Sequence, residues 1–148
     1  MPAMRGVGAL VAATVLTTLA ACAGGGSSST AATSKATWTA KHGPAIAALN
    51  HDLQTAQDTL SSLQRPDILG NCNQLRDSLN EARKGLPVPD PTADTALRNG
   101  LDAVAVGTDD CIQGARGPVI PQLEKSFGEL REAHTLMEVA NNTLANWH

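Results

Sequence analysis

Three cysteines, four histidines and 14 acidic residues are the side chains of this 148-residue sequence most able to do chemistry. Cys72 and Cys111 stand 39 positions apart. They lack the close ligand spacing of a zinc knuckle, and in an oxidising compartment they are suited to a disulfide. His134 and Met137 lie one turn apart on what reads as one helical face. That constellation is the one that could offer ligands to haem or copper. His42 is a further candidate ligand, but in an up-down bundle it sits near the end of the fourth helix. His134 lies about 18 Å from that end at 1.5 Å per residue, so the two histidines are not expected to converge. His51 is expected to face water. Asp109 with Asp110, and Glu129 with Glu132, are adjacent or one turn apart. Acid–base catalysis needs a cleft that raises one pKa of such a pair, and these are expected on solvated faces. Neither a G-x-S-x-G elbow, a phosphate-binding loop nor a dinucleotide fingerprint occurs, and Gly24-Gly25-Gly26 follows no strand. No catalytic residue, no cofactor and no metal site beyond the His134, Met137 and His42 candidates is expected. Asn141-Asn142-Thr143 matches the N-glycosylation pattern, for which chance is the better explanation.

Cys22 belongs to a different context. Arg5 supplies one positive charge, residues 7–19 form an apolar stretch of 13, and Leu19-Ala20-Ala21-Cys22 follows. The layout is that of a secretory signal and falls short of the roughly 20 residues that span a bilayer. The tetrapeptide resembles the bacterial lipobox, which implies cleavage after Ala21 and a diacylglyceryl group on the Cys22 thiol, with a further acyl chain such as palmitate on the new amino terminus. Two chains already anchor a protein stably. Residues 23–34 carry no large apolar side chain. As a flexible tether of 12 residues they would hold a domain about 20 Å from the anchor. A plain linker is the simpler reading of Ser27 to Thr33, with glycosylation as the alternative.

The elements that must position these residues are helical. Ala and Leu dominate the apolar content, while Tyr is absent and there is one Phe. Good helix formers abound and β-branched or aromatic runs do not. Ile46, Leu49, Leu53, Ala56, Leu60 and Leu63 are spaced by three and four, which predicts a helix with Pro44 in its first turn and Arg65-Pro66 after its end. Leu69, Cys72, Leu75, Leu79, Ala82 and Leu86 predict a short second helix. Asn71 with Gln74 or else Asp67 would cap it, and Gly85 would stop it. The run Leu86-Pro87-Val88-Pro89-Asp90-Pro91 must be extended, with Asp90 as the cap and Pro91 as the first residue of a third helix. That helix carries Leu97, Leu101, Val104, Thr108, Cys111 and Ala115, and ends at Gly114 or Gly117. The fourth stripe is Ile120, Leu123, Phe127, Leu130, His134 and Met137, then Leu144 and Trp147.

Short connections between four amphipathic helices predict an all-α, antiparallel up-down-up-down four-helix bundle. With Cys72 and Cys111 on inward stripes of consecutive helices, one disulfide should staple it. The expected organisation is a lipoprotein signal peptide over 1–21, the lipidated Cys and flexible tether over 22–36, and the bundle over 37–148. Without the leader the chain carries 10 basic against 14 acidic residues, an overall balance that leaves no basic footprint for nucleic acid or anionic lipid.

Trp38, Asp52-Leu53, Cys72 with Leu75, the Leu86-Pro87-Val88-Pro89-Asp90-Pro91 hinge, Cys111, and Gly128-Glu129-Leu130 before Ala133 together resemble small helical lipoproteins of actinobacteria, an uncharacterised family. The resemblance spans the mature domain and implies the fold and the disulfide, without an activity. Many such proteins carry an aromatic early in helix three, where Leu97 stands here. The expectation is therefore a non-enzymatic module, lipid-anchored on the extracytoplasmic face of the cell membrane, that binds an envelope protein or a lipidic molecule. The alternative is a haem or metal carrier using His134.

Overall fold

The three-and-four spacing of apolar residues becomes four α-helices in the computed structural model, which describes residues 27–62, 65–117 and 119–148. The expected leader over 1–21, Cys22 and residues 23–26 lie outside the described residues. Helix α1 spans Ser27–Ser62, α2 Arg65–Arg83, α3 Pro91–Arg116 and α4 Ile120–Asn146. Cross-helix contacts give their directions. Along α1, Trp38, Asp52 and Thr59 meet Gly85, Ser78 and Asn71 in turn, so α2 descends as α1 rises. Arg83 meets Asp102 while Cys72 meets Cys111, which turns α3 back along α2. Gly100, Gly107 and Gly114 face Met137, Leu130 and Leu123, and Lys35 and Gln57 reach the Ala145 and Leu130 carbonyls. The result is an antiparallel up-down-up-down bundle in which α4 closes on α1.

Leu49, Leu53, Ile68, Leu75, Leu97, Leu101, Val104, Leu130 and Met137 fill its axis, each almost wholly buried. The Cys72–Cys111 disulfide joins α2 to α3 inside this core, with Cα atoms 6.0 Å apart.

Local chemistry at the hinge follows the sequence closely. Asp90 caps α3 by accepting from the Ala93 N–H at 2.7 Å, Pro91 sits in the first turn, and Asp94 accepts from the Val88 N–H at 2.8 Å. Gly117, not Gly114, ends α3.

Several boundaries differ from expectation. Residues 27–36, expected within the tether, belong to α1, and Pro44 stands inside that helix instead of opening it. Between positions 27 and 42 there is neither Gly nor Pro, and Ala31, Ala32 and Ala36 favour helix. Upstream of Pro44 the helix is also tied down by Trp38, whose Nε1 donates to the Gly85 carbonyl at 2.8 Å. Helix α2 begins before both proposed caps. Asn71 donates to Thr59 Oγ1 at 2.7 Å and Gln74 to Asp52 Oδ1 at 3.0 Å, so both amides bind α1 across the interface.

On α4 the buried line is Leu123, Ser126, Leu130, Ala133, Met137 and Ala140, followed by Trp147 at the C-cap. Ile120 is exposed, and Phe127, His134 and Leu144 lie on the flank. The helix is rotated from the expected stripe because α3 presents Gly100, Gly107 and Gly114 at seven-residue intervals, and small Ser126, Ala133 and Ala140 also turn inward.

Candidate functional site

Histidine and methionine on α4 do not form a common ligand pair. His134 is 40% exposed with Nε2 3.5 Å from Glu138 Oε1, while Met137 is 1% exposed and lies over Gly100. Their three-residue spacing turns one side chain to the flank and the other into the core. His42 packs its ring 5.4 Å from that of Trp38. On the α1–α4 register it lies roughly 13 Å along the axis from His134, so the two do not meet. Among the described residues no group of three or more His, Cys, Asp or Glu side chains could hold a metal ion.

Asp110 pairs across helices, whereas Asp94 and Glu129 pair along their own. Asp110 on α3 accepts from Lys125 Nζ at 2.5 Å and from Gln122 Nε2 at 2.7 Å, both on α4. Lys125 also stands 3.2 Å from Glu129 Oε1. The Lys125 ammonium holds the Asp110 carboxyl below its ordinary value, burial opposing it in part, and Lys125 is correspondingly raised by Asp110 and Glu129. Glu129 Oε2 is buried without a hydrogen-bond partner among the described residues. A general acid would need a raised carboxyl, and the shift at Asp110 has the opposite sign.

Asp52, which the apolar pattern leaves unassigned, is only 6% exposed and accepts from Gln74 Nε2 and Ser78 Oγ. Two neutral donors thus satisfy it at the α1–α2 interface, a structural arrangement. Its place three residues after Leu49 and four before Ala56 puts it on the flank of the stripe, the one sequence signal for its burial.

Three concave places stand out among the described residues. An open cleft of about 620 Å³ between the start of α3 and the end of α4 is lined by polar groups such as Thr92, Asn142, Thr143 and Asn146. A smaller one of about 390 Å³ over α2 is bordered by Asp77, Ser78 and Glu81. The third, of about 310 Å³, lies along the α1–α4 seam, where Trp38, Ile46, Ala47, Leu144 and Ala145 form apolar walls. Lys35 stands at one end of it, donating from Nζ to the Ala145 carbonyl at 3.0 Å and to that of Trp147. This cationic end caps the last carbonyls of α4, a favourable position in the field of the helix dipole. Trp38 is fixed from three sides, by the Gly85 carbonyl, by His42 and by an edge contact with Trp147 at 5.8 Å. A Cβ at Gly85 would fit tightly there, 3.3 Å from the Trp38 ring and 3.2 Å from the Ala82 carbonyl. The seam groove is the most ligand-like surface of the described residues, being apolar, elongated and bounded by a charge.

No described helix is long and apolar enough to cross a membrane. Comparison with family models, with curated proteins and with solved structures yields no match to the chain.

Proposed function

We propose that the chain is a non-enzymatic binding module of the cell envelope, held on the extracytoplasmic face of the membrane by acyl chains on Cys22. The observation that carries this is Leu19-Ala20-Ala21-Cys22 at the end of an apolar leader. The buried Cys72–Cys111 disulfide supports the same location, since such bonds persist in oxidising compartments. Resemblance to actinobacterial lipoproteins points the same way. A four-helix core closed by Leu and Ala, with carboxylates paired to Lys125 or to neutral donors, favours binding over catalysis. The ligand is an envelope protein or a lipidic molecule, and the module carries neither haem nor metal at His134.

The test is the mass and fractionation of the chain expressed in an actinobacterial host. Wild-type protein should sit in the membrane fraction and exceed the mass of the chain beginning at residue 22 by its acyl groups. Cys22→Ser should lose that excess. A variant with unchanged mass and unchanged fractionation overturns the anchor. Non-reducing peptide mapping that finds no link between Cys72 and Cys111 in the exported protein overturns the oxidising location.

A further inference from the structure

We infer that the α1–α4 groove takes one acyl chain of an anionic membrane lipid, with the lipid headgroup beside Lys35. The groove follows α1 from Lys35 to Asn50, about 22 Å at 1.5 Å per residue. Lipid chains in one leaflet fill about 15 Å, half of the hydrocarbon thickness, so one chain fits lengthwise. Its walls are Trp38, Ile46, Ala47, Leu144 and Ala145, and its volume of about 310 Å³ leaves room for a single chain only.

Charge selects the headgroup. An ammonium has three donors, and Lys35 uses two on the α4 carbonyls, which leaves one for a ligand. Among the described residues no carboxylate stands within ion-pair distance of Lys35. An amphiphile with an apolar tail and an anionic head is the complement of this groove.

Position selects the source, and this step rests on the lipid anchor proposed above. Helix α1 starts five positions after Cys22, and Lys35 lies eight residues further, about 12 Å along the helix. The charged end of the groove is therefore the end nearest the anchor and the bilayer.

The test is native mass spectrometry of the full mature chain, extracted in a neutral detergent and offered equal amounts of phosphatidylglycerol and phosphatidylcholine with identical chains. One phosphatidylglycerol per protein is expected, at least fivefold more abundant than the phosphatidylcholine adduct. Lys35→Gln should bring the two adducts to the same level. Ala47→Trp, and independently Ala145→Trp on the opposite wall, should remove both; each replaces an exposed residue, and circular dichroism confirms the fold. Absence of any adduct, equal adducts on the wild-type chain, or adducts that persist in both folded tryptophan variants would each overturn the inference. The covalent mass in the same spectrum reports separately on acylation of Cys22.

Discussion

Asp94 and Asp110 hold charge where the folded chain favours it. The hydrogen bond from Arg98 keeps Asp94 below its ordinary value of 3.8, assisted by the Val88 N–H and opposed by burial. Lys125 does the same for Asp110. A carboxyl whose pKa is lower in the folded than in the unfolded chain contributes stability that is complete above the unfolded value. That stability is lost as the pH falls through the folded value. We therefore expect the denaturation midpoint to be flat from neutrality down to about pH 5 and to fall below about pH 4. Asp94→Asn should flatten that acid limb, as read by urea titrations at a series of pH values; an unchanged limb would remove Asp94 from the account. Both groups reach solvent, so each effect is small and salt-sensitive.

Single glycines have opposite meanings at different positions. A Cβ at Gly107 would lie 2.7 Å from Leu130 Cδ2 and 3.1 Å from the Leu130 backbone nitrogen, and at Gly114 it would lie 2.9 Å from Leu123 Cδ2 and 3.1 Å from the Leu123 nitrogen. Backbone cannot rotate away, so overpacking of about 1–3 kcal/mol outweighs the helix propensity gained by alanine. At Gly100 the nearest atom is the flexible Met137 Sδ, at 2.7 Å, and the cost should be smaller. Gly128 has nothing within 4 Å. Gly128→Ala should stabilise by roughly 0.5–1 kcal/mol while Gly107→Ala destabilises, which thermal melts of the two variants would separate.

At the scale of the element, α3 and α4 form the tightest pair because glycines at seven-residue intervals receive Leu123, Leu130 and Met137, themselves seven apart. A seven-residue repeat on both helices is the geometry of left-handed supercoiling. Ser126 Oγ donates to the Gly107 carbonyl at 2.8 Å, a contact available only because the backbones approach so closely. Helix α1 is the opposite case, since it carries Pro44 in its interior and removes one donor from its own ladder. Trp38 and Lys35 secure the turns before that proline by contacts with α2 and α4. Pro44→Ala should then raise stability by about 1 kcal/mol, since Pro44 is exposed and the ladder regains its bond. A fall in melting temperature would mean that the proline shapes α1 for its neighbours.

At the scale of the whole molecule, the disulfide and the open seam divide the bundle. The Cys72–Cys111 bond closes a loop of about 40 residues, worth roughly 4 kcal/mol in the chain-entropy model. Against the 5 to 15 kcal/mol of a typical domain this is a large share. Cys72→Ala with Cys111→Ala should lower the unfolding free energy by roughly that amount, measured by urea titration. A loss under about 1 kcal/mol would assign the stability to the Leu core instead. Helices α2, α3 and α4 are stapled or interlocked in series, whereas α1 meets α4 across the groove that runs from Lys35 to Asn50.

Four helices, their order, the Asp90-Pro91 start of α3 and the pairing of the two core cysteines were legible in residue spacing alone. These depend on periodicity and on hydrogen bonds between near neighbours in the chain, which a linear pattern records. The proposed leader and Cys22 anchor rest on a similar local run but lie outside the described residues. Tertiary contact alone decided that α1 continues through Pro44 toward Ser27, because Trp38 finds its partner 47 positions away at Gly85. It also rotated α4, turning Ser126 and Ala133 inward and His134 to the flank, since three glycines on another helix set how close and at what angle the two helices pack. Asn71 and Gln74 look like helix caps in sequence, yet their amides bind Thr59 and Asp52 once α1 lies alongside. The groove belongs wholly to this second class. Lys35 and Ala145 are 110 positions apart, and only the closing of α4 on α1 places a cation at the end of an apolar wall.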